Sequence, residues 1–173
     1  MSSLLLFIRG FPGAGKSYLA SQISKNVGAN ILDPDLIDIS STKFTQFSNK
    51  YKNIKWLKKV KYRFNLYETI SSLGTNRVTI WSQPWRNKKG FCVTVNNIKT
   101  LFKGKINIIL LQLNTPVDLS YSRRREKYSS KDAFVNKFVR KNQDIDNVVG
   151  VRVIELNNYR NYYEELKTIN IGV

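Results

Sequence analysis

The chain has 173 residues, enough for one domain with its own core, and its apolar fraction of 42% is ordinary for a globular protein. It carries 29 basic and 12 acidic side chains, a net charge of +17 that favours polyanionic partners unless it only reflects a composition rich in Lys, Asn and Ile. No histidine is present, which excludes the commonest general base and the commonest transition-metal ligand, and the single cysteine, Cys92, excludes an intramolecular disulfide and reads as a small buried hydrophobe.

In chain order, the first element is the apolar run Leu4–Ile8, which reads as a buried parallel strand. It is too short for a signal-peptide core, and no later run approaches the roughly 20 residues of a membrane span, so a cytoplasmic protein is expected. The run leads into Gly10, Phe11, Pro12, Gly13, Ala14, Gly15, Lys16 and Ser17, with Tyr18 next and a helix expected over Ser17–Val27. G-x-x-x-x-G-K-[ST] between a strand and a helix is the spacing of a phosphate-binding loop. Its glycines let backbone N–H groups turn inward around phosphates, and the helix adds its positive end. Lys16 is expected to reach the β- and γ-phosphates of ATP and Ser17 to hold Mg²⁺.

A second strand, Ile31–Asp33, ends in a cluster of Asp33, Asp35 and Asp38. The carboxyl end of a parallel strand opens on the same sheet edge as the glycine loop. Asp33 is placed to hold Mg²⁺ or to cap a short helix with Pro34 in its first turn, and Asp35 to take a proton from a hydroxyl acceptor; the two readings are compatible. Ile54, Leu57, Val60, Phe64, Tyr67, Ile70 and Leu73 then mark a long amphipathic helix ended by Gly74. Within Lys50–Arg63, bases alternate with Tyr51, Trp56 and Tyr62. Trp81, Trp85 and Arg86 follow near the end of the third strand, Val78–Trp81, with Lys88 and Lys89 beyond. Bases that track a phosphate backbone and rings that stack nucleobases suit a single strand, whereas Lys52, Lys55, Lys59 and Arg63 also fit a merely solvated helix face.

Helices are expected over Val93–Phe102, Val117–Lys127, Lys131–Asn142 and Tyr159–Ile169, with strands at Ile106–Leu113 and Val151–Leu156. This alternation predicts a three-layer α/β fold with a parallel five-stranded sheet, as one domain over residues 1–173. Arg123, Arg124, Arg125 and Lys127 crowd the end of one helix, where residues 117–145 read as a lid. Its arginines either stabilise charge on a transferring phosphoryl group or complement a helix dipole in solvent. On helical spacing Arg123 and Lys127 share a face and Arg124 points elsewhere. Neither N-K-x-D nor a D-x-x-G switch is present, which removes the distinguishing residues of a GTPase. The third and fourth strands end in Ser82-Gln83 and Asn114 where a mechanical ATPase carries Asp.

The order GFPGAGKS, DPD, SQPWR and LNTPVDLSYSRRRE resembles the small P-loop kinases, a group that includes polynucleotide 5′-hydroxyl kinases, gluconate and adenylylsulfate kinases and zeta-type toxins. The likeness runs from Leu4 to about Gln143 and is specific in the glycine loop. It implies a P-loop NTPase fold with a helical lid, and transfer of the γ-phosphate of ATP to a hydroxyl. It further implies acceptor contact by Asp35, phosphate contact by Arg123, Arg124 or Arg125, and acceptor binding near Ser82 and Arg86. The strand-end Asp is missing, which leaves Ser17 and the Asp33/Asp35 pair for Mg²⁺. Charge tilts the acceptor toward the 5′-hydroxyl of a single-stranded nucleic-acid end. The alternatives are a kinase of a small hydroxyl metabolite or nucleotide-sugar, and a nucleotide-gated nucleic-acid-binding module that transfers nothing.

Overall fold

A computed structural model describes residues 3–51, 56–139, 145, 147–169 and 171. Five strands, β1 (Ser3–Arg9), β2 (Asn30–Leu32), β3 (Val78–Ser82), β4 (Ile106–Leu113) and β5 (Arg152–Leu156), form one parallel sheet in the order β2-β3-β1-β4-β5. The central strands β1, β3 and β4 are largely apolar because both faces of the sheet are covered there, whereas the edge strands β2 and β5 carry exposed polar residues. Along β1 the faces separate by strict alternation. Leu4, Leu6 and Ile8 share a core with α1 (Lys16–Val27) and α7 (Tyr162–Lys167), through residues such as Leu19, Ile23, Tyr162 and Leu166. Leu5 and Phe7 face the other way, toward α3 (Leu57–Thr75) and α4 (Lys88–Leu101), through Leu73, Phe91, Val95 and Ile98. The expected three-layer α/β architecture is therefore present.

Several helical expectations are corrected. A helix not anticipated, α2 (Thr42–Asn49), is capped by the Ser41 hydroxyl, which accepts from the Phe44 N–H. It was hidden because only Phe44 and Phe47 carry its apolar side, which packs on α3 through Phe64 at 5.2 Å ring separations. In α3 the buried positions are Val60, Phe64, Asn65, Thr69, Ser72 and Leu73, while Leu57 and Tyr67 are exposed. Paired hydroxyls make the polar positions compatible with burial: Ser72 Oγ lies 2.9 Å from Thr79 Oγ1, and Thr69 Oγ1 donates to the Asn65 carbonyl at 2.8 Å. Gly74 lies within α3, whose cap is Asn76; Ile54, Lys52 and Lys55 lie outside the described residues.

The expected helix over Val117–Lys127 breaks after α5 (Val117–Ser122) and resumes as a 3₁₀ turn, Arg125–Lys127. Likewise α6 is only Lys131–Phe134 and continues as a wider π-type turn, Val135–Val139; residues 140–144 lie outside the described part. The last helix, α7, is shorter than expected at both ends. Cys92 is half-buried beside the α4 core rather than inside it.

Candidate active site

At the carboxyl edge of β1, between strands whose connections leave in opposite directions, the glycine loop opens onto a cavity of about 910 Å³. Two glycines shape the loop. Gly13 (φ 85°) and Gly15 (φ 95°) both occupy the left-handed region, and a Cβ on Gly13 would clash with the Ser120 carbonyl oxygen of α5. Pro12, Gly13, Gly15, Lys16, Ser17 and Tyr18 line the cavity. Gly10, Phe11 and Ala14 stand behind it: Gly10 faces Leu113, Phe11 meets the Phe134 ring at 6.5 Å, and Ala14 is core. The Ala14 carbonyl accepts from Thr115 Oγ1 at 3.1 Å, and Thr115 in turn shares a 2.6 Å hydrogen bond with the Tyr162 hydroxyl, so the loop is braced from α7.

Lys16 lies across its own loop, donating from Nζ to the Gly10 carbonyl at 3.1 Å and the Phe11 carbonyl at 2.9 Å. Burial disfavours its ammonium and lowers its pKa from 10.5 to about 8; nearby Asp33 and Asp35 oppose the shift, and Arg124 adds to it. Asp33 is pushed the other way, above the usual carboxylate range, chiefly by burial. Its Oδ1 accepts from the Asp35 N–H at 2.9 Å, and the Ser17 hydroxyl lies near enough to its carboxylate to favour the charged form, so capping and proximity to the loop coexist in one side chain. The capped element is a turn rather than the short helix anticipated as an alternative. A hydroxyl and a carboxylate close together at the loop's mouth are what Mg²⁺ takes from a protein when phosphate oxygens and water supply the other ligands, and Ser17 and Asp33 fit that set. Among the described residues no cluster of three or more His, Cys, Asp or Glu offers a metal site of its own.

Asp35 is exposed and lines the cavity beside Asp33. Asp38 does not line it; its carboxylate is taken up by the Ser40 N–H at 2.9 Å and hydroxyl at 2.6 Å, which lower its pKa. Arg123 Nη1 donates to the Gly13 carbonyl at 3.1 Å, and Arg124 sits close enough to Lys16 to disfavour its charge. Because α5 stops at Ser122, helical spacing no longer separates these residues: Arg123, Arg124 and Lys127 all border the cavity, and Arg125 does not.

The aromatic residues read as a stacking platform are corrected. Trp81 is 0% and Trp85 5% exposed, in a cluster where Phe7 lies 5.0 Å from Trp85 and Trp81 lies 4.9 Å from it. Tyr62 is bonded to Thr94, and Tyr51 packs on Phe47 under Arg63. Of this set Trp56 alone is exposed, at 68%, while Tyr51 and Tyr62 are half-buried and Tyr62 and Trp85 line the cavity. A strand covered on both faces already implied that Trp81 is buried, whatever bases follow it in sequence. Lys58, from the basic segment Lys50–Arg63, and Tyr128, Lys137 and Phe138, from the 117–145 segment, also border the cavity, although no spacing singled any of them out.

No family model and no curated protein sequence matches the chain. Solved structures do. A kinase-like protein from Chloroflexus aurantiacus superposes with a TM-score of 0.70 at 10% identity, covering 100% of both chains. A structure from the PezAT toxin–antitoxin system of Streptococcus pneumoniae gives 0.65 at 15% identity over 92% of this chain and 69% of that one. Shikimate kinase from Acinetobacter baumannii gives 0.52 at 15%, over 97% and 92%. The fold is that of the small P-loop kinases. Within the P-loop kinase fold, the loop after β1, the acids after β2 and the arginines after α5 meet around one cavity here. No helix among the described residues is long and apolar enough to cross a membrane.

Proposed function

We propose that the chain is an ATP- and Mg²⁺-dependent phosphotransferase that moves the γ-phosphate to a hydroxyl acceptor bound in the same cavity. The supporting observation is the convergence of Lys16, Asp35 and Arg124 on one cavity, from three separate parts of the chain. The loop N–H groups and Lys16 hold the phosphates, and Arg123 and Arg124 offset the negative charge on the transferring group. Ser17 and Asp33 would hold Mg²⁺, which would supply further charge neutralisation. The acceptor oxygen attacks the γ-phosphorus as the bond to the β,γ-bridging oxygen breaks; Asp35 takes the hydroxyl proton and passes it to solvent, and ADP leaves. The segment that follows α5 acts as a lid over these groups.

For the acceptor we favour the 5′-hydroxyl end of a nucleic-acid strand, supported by the net charge of +17 and by Lys58 of α3 at the cavity. A small hydroxyl metabolite is the second reading, favoured by the burial of Trp81 and Trp85, which leaves few rings for bases to stack on. Incubation with γ-labelled ATP and a panel of hydroxyl-ended oligonucleotides and sugars separates the readings. Label on an oligonucleotide or a sugar supports transfer and names the acceptor class; label released only as free phosphate refutes transfer.

A further inference from the structure

The β3–α4 link carries hydrogen-bond donors that phosphate transfer does not use. Ser82 and Trp85 line the cavity, and their Oγ and Nε1 atoms are buried with no hydrogen-bond partner among the described residues. Buried donors are ordinarily satisfied, so two of them in one four-residue stretch point to a ligand. The stretch is also held in a costly conformation. Trp85 has φ 45°, a left-handed value that a bulky side chain rarely adopts, and strain of this kind persists where the surroundings impose it. Here the surroundings are Phe7, Trp81 and Phe91, whose rings lie 5.0, 4.9 and 5.2 Å from that of Trp85.

The next residue, Arg86, places its guanidinium 5.0 Å from the centre of the Phe138 ring and donates to the Lys137 carbonyl at 2.5 Å. The Lys137 ammonium lies 5.5 Å from the centres of both Tyr128 and Phe138, and Lys58 reaches the same cavity from α3. Among the described residues none of these three cations has a carboxylate within 4.0 Å. Aromatic faces hold a cation in place without cancelling its charge, as a carboxylate would. The result is a wall of donors and uncompensated positive charge. A neutral sugar, which offers as many donors as acceptors, leaves that charge unmatched. A phosphoryl group offers acceptor oxygens and negative charge together.

We infer that Ser82, Trp85, Arg86, Lys58 and Lys137 form a phosphoryl subsite for the acceptor, so that the molecule phosphorylated here already carries a phosphate ester. This rests on the phosphotransfer reading for the identity of the acceptor, and two sources share the chemistry: a sugar phosphate, or the phosphate that follows the first sugar of a strand.

The test is calorimetric titration of the full chain, saturated with Mg²⁺ and the β,γ-imido analogue of ATP. The probes are ribose 5-phosphate, a hydroxyl-ended dinucleotide monophosphate, ribose and gluconate. At least one phosphate ester should bind at least about tenfold more tightly than ribose and gluconate. Arg86→Gln and Lys137→Gln should each weaken it by about 10- to 100-fold, the usual effect of losing one charged hydrogen bond. Analogue affinity should stay within twofold and the melting temperature unchanged. Trp85→Phe, which keeps a packed ring and removes the indole donor, should weaken it severalfold. Preference for the dinucleotide identifies a strand end, and preference for ribose 5-phosphate a metabolite. Equal binding of ribose or gluconate, or an Arg86→Gln protein with unchanged phosphate-ester affinity, overturns the subsite. So does loss of phosphate-ester binding on Lys16→Ala alone, which would put that phosphate in the glycine loop. Failure of the phosphotransfer reading looks different: the analogue does not bind, while phosphate-ester binding still depends on Arg86.

Discussion

Raising the pH from 7 to 9 should weaken nucleotide binding through Lys16 alone. Its pKa of about 8 means that the ammonium is about nine-tenths populated at pH 7 and about one-tenth at pH 9. A bound triphosphate favours the charged form and lifts the pKa back toward its ordinary value, so binding above pH 8 must take up a proton. Affinity should fall about tenfold over this interval, with uptake rising from about 0.1 to about 0.9 proton per nucleotide. The nucleotide's own last phosphate proton, with a pKa of about 6, is already gone and does not interfere. Calorimetry in buffers of different ionisation enthalpy reads both quantities. Lys16→Arg, which stays charged throughout, should bind with no such pH dependence. Stability moves in the opposite sense. The folded pKa lies below the unfolded value of 10.5, so the unfolded chain holds more protons between pH 8 and 10.5. The stability difference between wild type and Lys16→Ala should therefore shift in favour of wild type across that window, by up to about 3 kcal/mol. Flat affinity from pH 7 to 9 with no proton uptake would refute the burial of this ammonium.

Asp35→Asn should leave nucleotide affinity within a few-fold and slow single-turnover transfer by about 10²- to 10⁴-fold, while Asp33→Asn, whose amide oxygen can still cap the turn, should mainly raise the Mg²⁺ concentration needed for half-maximal rate. Gly13→Ala forces a Cβ into the Ser120 carbonyl at a left-handed φ and should cost about 1–3 kcal/mol in denaturant unfolding, together with weaker nucleotide binding. If a strand is the acceptor, its binding should weaken with salt at a log–log slope of about −0.7 per phosphate contacted, and Lys59→Gln should flatten that slope by about 0.7; a salt-independent affinity would remove the strand.

What the sequence made legible follows the physics of each element. The central strands are readable because burial on both faces leaves long apolar runs, and the glycine loop because its backbone turn admits few residues. Helix α2 was not, since two phenylalanines make no periodic stripe. The end of α5 at Ser122 was equally hidden, because Arg123, Arg124 and Arg125 are all good helix formers and the break comes from packing against the loop. Lys58 and Lys137 lie within the basic segment Lys50–Arg63 and the 117–145 segment, but no spacing singles either out, and only the fold sets them at one cavity with Arg86. The tryptophans show the reverse: bases adjacent in sequence suggest an exposed ring, whereas a strand covered on both faces buries Trp81.

The fit of Gly13 against the Ser120 carbonyl bears on where the lid proposed above would hinge. With no room between them, α5 and the phosphate loop would move together, and a closing movement of the chain beyond would pivot in the Arg123–Arg124 turn. The two arginines would then sit on the axle rather than on the swinging arm. They would stay beside the loop whether the arm is open or shut, while Tyr128, Lys137 and Phe138, further along, would travel the distance. Opening would thus release the acceptor side first and leave the nucleotide gripped, an order of departure built into one missing methyl group.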